Sequence, residues 1–136
     1  MFDNDWGWLM YQIQIEKNFS ASHAIALPDG SLEPLHGHNW PVVVTVQSQE
    51  LDEIQTVMDF HVLEGWVDEL ISKVHNRHLN EVKPFAGEQG KLAVNPTAER
   101  VAWWFGCEIA SRLPQHVTLV SVSVGEADGC TAVYLP

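Results

Sequence analysis

Two hydrophobic periods alternate along this chain, and their order limits the folds that it can adopt. Towards both ends, apolar and polar residues alternate with a period of two, which is typical of strands with one buried face. In the middle, apolar residues recur every three or four positions, which is typical of amphipathic helices. The predicted order of elements is therefore ββααββ.

Four strands are predicted from the alternating segments. Their ranges are 11–15 with a continuation over 19–22, then 40–48, 120–124 and 131–135. A turn is predicted at 125–129, between the last two strands. The connection between the first two strands is longer than a tight hairpin turn, so we expect it to carry functional residues.

Two helices are predicted between the strand pairs. Asp59 is a candidate N-cap for the first helix, which extends to Val74, and Thr97 opens the second, which stops at Pro114. Residues 81–94 contain proline and glycine without a clear period, and we interpret them as a long mobile loop.

This order predicts an α+β sandwich with both helices on one face of a four-stranded antiparallel sheet. We interpret residues 1–136 as one domain with an N-terminal extension at 1–9. The opposite face of the sheet carries neutral polar side chains, and the sheet has two open edges. That face is either solvated or covered by another subunit.

The charge of the chain excludes several classes of partner. The sequence has 18 acidic residues against 7 Lys and Arg, a net charge of −11, which disfavours nucleic acids and anionic membranes. No apolar run approaches the roughly 20 residues that span a bilayer. Residues 1–8 lack the basic region of a signal peptide, and two cysteines are too few for a disulfide framework. We therefore expect a cytoplasmic protein.

Histidines are as numerous as Lys and Arg together, and three of them lie at predicted strand ends. His36 and His38 flank Gly37, and alternate residues of a strand point to the same face. His23 lies at the end of the neighbouring strand. Three histidines without a fourth protein ligand are typical of a catalytic zinc site, although ordinary loop or core histidines would give the same pattern.

The other histidines and one cysteine have less specific interpretations. His75 and His78 close the first predicted helix, where imidazolium favours the negative end of the helix dipole; a chemical role is the alternative. His61 and His116 are interpreted as surface residues. Cys107, inside the second helix, is interpreted as a small core residue.

Six short motifs follow one another from about Tyr11 to the C-terminus. They are FSASH (19–23), HGHNW (36–40), VMDF (57–60), LN (79–80), PTAER (96–100) and VGE (124–126). In order and spacing they resemble the 6-pyruvoyl-tetrahydropterin synthase family, which includes the bacterial 6-carboxy-tetrahydropterin synthases of 7-deazaguanine synthesis. The resemblance implies the tunnelling fold, in which sheets of several subunits join into a barrel, typically as trimers stacked into hexamers with active sites between subunits.

The resemblance also implies roles for six residues. Three match the zinc ligands of the family: His23, His36 and His38. Glu126 matches the glutamate that anchors the pterin ring, and its alternative is an acid beside a turn. Glu99 and Thr97 match a helix start of the family that either lines the substrate site or only caps the helix.

The catalytic residues depart from the pattern of the family. Its usual cysteine, in the loop before His-Gly-His, is absent from residues 27–35, and Glu33 lies close to that position. One branch of the family has glutamate there and forms 6-hydroxymethyl-dihydropterin. The usual Asp-His pair is replaced by His75 and Asn76. Glu33 and His75 are therefore the catalytic candidates, with Glu33 as general base.

The neighbours of Glu33 are apolar, which bears on this role. They are Leu32, Pro34 and Leu35. We expect these side chains to exclude water from the carboxylate. The alternative is an exposed loop acid.

The resemblance thus implies a Zn²⁺-dependent pterin lyase or synthase acting on 7,8-dihydroneopterin triphosphate or a related pterin, in a homo-oligomer. The alternatives are a catalytically degenerate homologue that binds a pterin or purine-like ligand, and a structural oligomer stabilised by zinc. A triphosphate requires cations, and four residues are the expected suppliers: Lys17, Arg77, Lys83 and Lys91. The pathway stays open between 7-deazaguanine, folate and biopterin synthesis.

Overall fold

Two α-helices and five strands form the described part of the chain, residues 9–136 of the computed structural model. In chain order they are β1 (Tyr11–His23), β2 (His36–Ser48), α1 (Phe60–Ser72), β3 (Arg77–His78), α2 (Ala98–Ala110), β4 (Thr118–Ala127) and β5 (Cys130–Tyr134). Of the predicted extension at 1–9, only Leu9 lies within the described residues. No helix among residues 9–136 combines the length and hydropathy needed to cross a membrane.

The strands form one sheet in the order β3-β1-β2-β4-β5. The four long strands pair antiparallel, and both helices pack on one face, as the sequence predicted. The two-residue strand β3 adds a fifth, parallel member, because Arg77 and His78 pair with Ala21 and Ser22 of β1. The sheet is therefore mixed, a detail that periodicity does not reveal in so short a segment.

The hydrophobic core lies between the sheet and the helices. Alternate residues of β2 and β4, such as Val44 and Val122, are fully buried, as are Leu63 of α1 and Phe105 of α2. Complete burial of such a side chain contributes about 1.5–3 kcal/mol. On the opposite face, neutral polar side chains pair across strands, and Gln12 donates to Gln47 at 3.0 Å.

The predicted N-cap Asp59 is confirmed, and Thr97, predicted to open the second helix, caps it. The Asp59 side chain accepts from the backbone N–H of His61 at 2.8 Å, and the Thr97 hydroxyl accepts from that of Arg100 at 3.1 Å. Each bond satisfies one of the unpaired N–H groups of a helix start. Helix α1 ends at Ser72, two residues earlier than predicted.

Three local predictions are wrong. His75 and His78 do not close the first helix, because they lie in the following turn and in β3. Glu126 lies inside β4 rather than in a turn, since the strand continues to Ala127. Cys107 is exposed: at about 100° per residue it points roughly opposite to the buried Phe105.

Residues 81–94, predicted to be a mobile loop, are attached to the core. Short 3₁₀ segments occur at Leu79–Glu81 and Glu88–Gly90. Phe85 is fully buried between them, and its ring lies 6.4 Å from that of Trp104. One aromatic residue thus fixes a segment whose composition favours a loop.

Candidate metal centre and flanking clefts

The pairing of β1 with β2 brings the three candidate metal ligands together. His23 and His36 are direct partners in the strand register, and His38 follows two positions later on the same face of β2. Their faces are those that carry the core residues of each strand. His23 is fully buried, while the side chains of His36 and His38 are 45% and 17% exposed. The predicted convergence of these histidines is confirmed.

Strand β4 adds a carboxylate to the cluster. Glu126 Oε1 lies 3.4 Å from His23 Nε2 and 3.6 Å from His36 Nε2, and its Oε2 lies 3.5 Å from His38 Nε2. The four ligand atoms lie within 4.8 Å of one another. The residues that the sequence assigned to metal and to pterin therefore meet at one point.

Backbone carbonyl groups orient all three imidazole rings. The Nδ1 atom lies beside such an oxygen in each ring: His23 beside Pro96 (2.7 Å), His36 beside Pro34 (3.2 Å) and His38 beside Asn39 (2.9 Å). A carbonyl oxygen can only accept, so Nδ1 carries the proton. Each Nε2 then presents a lone pair towards the other two, which is the usual arrangement around a bound metal.

These residues fit a divalent metal. His23 Nε2 and His36 Nε2 are 3.1 Å apart, and two lone pairs at that distance repel unless a cation lies between them. His38 Nε2 is buried without a hydrogen-bond partner among the described residues. Tetrahedral zinc with bonds of about 2.0–2.2 Å places its ligands roughly 3.3–3.6 Å apart, close to the observed separations.

The Trp40 ring packs against two of the histidine rings, and Trp40 was not predicted as a site residue. Its fully buried ring lies 4.1 Å from the ring of His38 and 4.7 Å from that of His23, and stacks on Phe19 at 5.6 Å. Its indole N–H donates to the Ala21 carbonyl at 3.2 Å. The available signal was its position, two residues after His38 on the same strand face.

Two asparagines hold the chain where it leaves β1. Asn80 accepts from the N–H of Ala24 at 2.9 Å and donates to its carbonyl at 2.7 Å. Asn95 makes the same pair of bonds to Ala26, at 2.9 and 3.0 Å. These bonds satisfy backbone groups next to His23. Asn80 belongs to a recognised motif, whereas nothing in the sequence pointed to Asn95.

A cleft of about 460 Å³ opens on the Glu126 side of the cluster. We call it the acid-lined cleft; its walls include Ile25, Glu99, Glu126, Cys130 and Thr131, and its described lining contains neither Lys nor Arg. The structure thus brings two of the three predicted substrate-binding residues together. It does not place Thr97 in the lining, and the hydroxyl of that residue caps α2.

A second cleft, of about 540 Å³, opens at the β3 edge of the sheet, on the face opposite to the imidazole rings, because Ser20, Ser22 and Asn39 alternate with the residues of the histidine face. We call it the acid-free cleft, since no Asp or Glu occurs in its described lining. Its polar residues are Ser20, Ser22, Asn39, Asn76, Arg77 and His78. The two clefts therefore differ in charge and in the face of the sheet on which they open.

The two catalytic candidates lie beside different clefts. Glu33 Oε1 accepts from the N–H of Ile25, in the acid-lined cleft, at 3.3 Å. His75 Nδ1 accepts from the N–H of Ser20, in the acid-free cleft, at 3.1 Å. Glu33 itself is half-buried, but Leu32 and Leu35, the neighbours expected to exclude water, are 56% and 63% exposed.

One of the four expected cation suppliers is committed elsewhere. Lys17 pairs with Glu64 at 3.0 Å and with Asp68 at 3.5 Å, and the hydrogen bond to Glu64 raises the pKa of Lys17. Arg77 lines the acid-free cleft, and Lys91 lines a neighbouring cleft that shares His78 with it. Two of the expected suppliers therefore line clefts on the β3 side of the sheet.

The sequence matches the family described as 6-pyruvoyl tetrahydropterin synthase over residues 12–136. A 6-carboxy-5,6,7,8-tetrahydropterin synthase of Rickettsia bellii is 28% identical over 125 residues, covering 82% of this chain and 91% of the relative. A probable 6-carboxy-5,6,7,8-tetrahydropterin synthase of Halobacterium salinarum is 32% identical over 123 residues, covering 83% and 79%.

Solved structures share the fold. The 6-pyruvoyl tetrahydropterin synthase of Caenorhabditis elegans superimposes with a TM-score of 0.76 at 20% identity, covering 94% of this chain and 96% of that one. An uncharacterized protein of Wolinella succinogenes gives a TM-score of 0.73 at 22% identity, covering 93% and 98%. The predicted fold class is thereby confirmed.

Proposed function

The chain belongs to the 6-pyruvoyl tetrahydropterin synthase family, and from that premise we propose that it is a zinc-dependent pterin lyase acting on 7,8-dihydroneopterin triphosphate or a closely related pterin. One observation carries the proposal: three Nε2 lone pairs converge with the Glu126 carboxylate at a point that borders the acid-lined cleft. The relatives named as tetrahydropterin synthases support a pterin as the substrate class.

The metal would be held by His23, His36 and His38. When bound, zinc polarises substrate oxygens and stabilises the negative charge that develops on them. The chain's own contribution is orientation, since each Nδ1–H is fixed by a backbone carbonyl and the Trp40 ring packs against two of the imidazoles.

In this proposal the acid-lined cleft binds the pterin ring. A carboxylate accepts two parallel N–H bonds from a 2-aminopyrimidine edge, as it does from a guanidinium group, and Glu126 is the anchor. Glu99 is a second acceptor in the same cleft. Thr97 acts indirectly, because its cap fixes the start of α2 that carries Glu99.

Proton transfer is assigned to two residues on different sides of the cluster. Glu33 is the general base, held by the Ile25 N–H through one oxygen so that the other is left to take a proton. His75 receives a backbone N–H on Nδ1, so its neutral ring carries hydrogen on Nε2. It is therefore placed to donate a proton rather than to accept one.

A second candidate function is pterin binding without turnover. Two observations favour it: His75 and Asn76 replace the Asp-His pair of the family, and the apolar neighbours of Glu33 are exposed. Retention of the three histidines with Glu126 supports a working ligand site under either function.

We further propose that the protein acts in the cytoplasm as a ring-shaped homo-oligomer, a trimer or hexamer. Val133 and Leu135 are 54% and 70% exposed at the β5 edge, which has no partner strand among the described residues. An exposed apolar edge favours pairing with another sheet. Light scattering at micromolar concentration should give a multiple of the 15.3 kDa chain mass; a monomer would refute this assembly.

The experiment that tests the function is incubation of the zinc-loaded protein with dihydroneopterin triphosphate, followed by mass analysis of the pterin. A 6-hydroxymethyl, 6-pyruvoyl or 6-carboxy product supports the lyase and identifies its reaction. Unchanged substrate together with neopterin binding supports the binding-only function. Unchanged substrate without neopterin binding contradicts both, and the His36→Ala protein serves as the metal-free control.

A further inference from the structure

We propose that Asn95 is a positioning residue that holds Glu33, the proposed general base, beside the acid-lined cleft. The link between the two residues is the backbone of residues 24–27, which leads out of β1. The inference deepens the proposed function, because it rests on Glu33 as the base. Its physical basis is the set of hydrogen bonds along the two edges of this segment.

One edge of segment 24–27 is paired with the part of the chain that carries Glu33. Ile25 bonds Glu33 twice: its carbonyl accepts from the Glu33 backbone N–H at 2.9 Å, and its N–H donates to Oε1 at 3.3 Å. Around these bonds, Ala26 and Leu32 form an isolated antiparallel bridge. The backbone and the carboxylate of Glu33 are therefore both tied to one residue of the segment.

The opposite edge of the segment is bonded by side chains in place of a strand. Successive residues of a paired, extended chain direct their N–H and C=O groups to opposite sides, so those of Ala24 and Ala26 point away from Glu33. Asn80 bonds both groups of Ala24, and Asn95 bonds both groups of Ala26, at 2.9 and 3.0 Å. A carboxamide offers both an acceptor and a donor, so it completes the pairing as a neighbouring strand would.

The two asparagines act on different ends of the segment. Asn80 bonds the residue directly after His23. Asn95 bonds Ala26, whose bridge partner directly precedes Glu33. We therefore assign Asn80 mainly to the metal ligand and Asn95 mainly to the base.

Packing alone does not hold Glu33, since the residues on either side of it, Leu32 and Pro34, are exposed. Its Oε1 bond of 3.3 Å is also at the long end of the range for N–H···O bonds. The position of the carboxylate thus depends on the pairing of segment 24–27. A general base must lie within hydrogen-bond reach of its proton, and a displacement of about 1 Å can cost 10²-fold in rate.

Asn95 is itself fixed by the residues that follow it. Its carbonyl accepts from the Thr97 N–H at 2.8 Å, and the Thr97 hydroxyl caps α2. Between them, Pro96 is buried, and its carbonyl oxygen lies 2.7 Å from His23 Nδ1. Three consecutive residues therefore hold the segment next to the base, a metal ligand and a helix start.

The test combines amide hydrogen exchange, measured by NMR on the zinc-loaded protein, with steady-state turnover of dihydroneopterin triphosphate. In Asn95→Ala, the amides of Ile25 and Glu33 should exchange at least tenfold faster than in the parent, because both are bonded within the weakened pairing. The kcat should fall about 10- to 100-fold with little change in KM. In the Glu33→Gln background, Asn95→Ala should lower kcat less than twofold, since the residue that it positions is already replaced.

Val67→Ala is the control for a general loss of stability. Val67 is fully buried on α1, and its truncation should leave exchange of the Ile25 and Glu33 amides within twofold of the parent, because surface amides exchange by local opening. All variants should bind about one zinc per chain at saturating metal.

Three results would overturn the inference. They are parent-like exchange of the Ile25 and Glu33 amides in a folded Asn95→Ala protein, an undiminished effect of Asn95→Ala on kcat in the Glu33→Gln background, and equally fast exchange in Val67→Ala. A parent that turns over no pterin ends the proposed lyase function, and the exchange rates still decide whether Asn95 holds Glu33. Turnover by the parent with parent-like exchange in Asn95→Ala ends this inference alone.

Discussion

The two clefts beside the histidine cluster differ more in charge than in size. The acid-lined cleft presents Glu99 and Glu126, and the acid-free cleft presents Arg77 and His78. Only the acid-lined cleft contains a ligand side chain of the cluster, Glu126, whereas the side chains of the acid-free cleft lie on the opposite face of the sheet. In a chain of net charge −11, local charge thus depends on where a few side chains are placed and differs from the overall charge.

The difference follows from which elements build each wall. The start of α2, the end of β4 and the start of β5 form the acid-lined cleft. The end of β1, the start of β2 and the two-residue strand β3 form the acid-free cleft.

The largest expected effect comes from removing the metal centre. His36→Ala deletes one of three imidazole ligands, and bound zinc should fall from about one per chain to nearly none. Elemental analysis after dialysis measures this. His61→Ala is the matched control, because the side chain of His61 is 91% exposed and contacts Asp59, away from the cluster. Undiminished zinc in His36→Ala would refute the assignment.

The next effect concerns the acid-lined side. Glu33→Gln keeps the size of the side chain and its acceptor for the Ile25 N–H, so zinc and pterin binding should be retained. Turnover should fall by roughly 10²–10⁴, the usual contribution of a general base. Steady-state product formation measures it. Turnover of any pterin substrate at the parent rate would remove Glu33 from the mechanism and favour a base on the other side.

A smaller effect is expected where the β3 edge is tied to His23. Asn80→Ala removes two hydrogen bonds to buried Ala24 and should lower the free energy of unfolding by about 2 kcal/mol. For a chain of this size the melting temperature should fall by roughly 6–10 °C. Zinc affinity should also fall about tenfold, as for other groups that orient metal ligands.

Asn95→Ala is the comparison for that prediction. It removes the same two bonds from Ala26, three residues from His23 instead of one. We expect a similar loss of thermal stability with a smaller loss of zinc affinity. Equal zinc affinities in the two variants would show that Asn80 stabilises the fold without orienting His23.

The sequence predicted the elements whose residues repeat a pattern. The alternation in β1 and β2 was enough to place His23, His36 and His38 on one face. The helical period located the starts of both helices, where Asp59 and Thr97 lie. Short or irregular segments were not predictable in this way. Strand β3 has only two residues, too few for a period. Gly125 and Gly129 led to the prediction of a turn at 125–129, whereas Glu126 lies in β4.

The clefts were not predictable because their walls are joined only by the fold. Ser22 and His78 are 56 positions apart, as are Asn80 and Ala24, and their contacts depend on a parallel pairing that has no local signal. The sequence also does not show which of the cationic side chains form ion pairs. Lys17 and Arg77 look equivalent in the sequence, yet one is paired with two acids and the other is unpaired among the described residues.

The central claim is that three histidines hold a metal beside a pterin site anchored by Glu126, and it is tested most directly by measuring zinc content and neopterin affinity in the same proteins. These are the parent, Glu126→Gln and His36→Ala. Glu126→Gln should keep about one zinc per chain and weaken neopterin binding about 10- to 100-fold, since it removes a charged acceptor. His36→Ala should lose the zinc. Unchanged neopterin binding in Glu126→Gln, or undiminished zinc in His36→Ala, would contradict it.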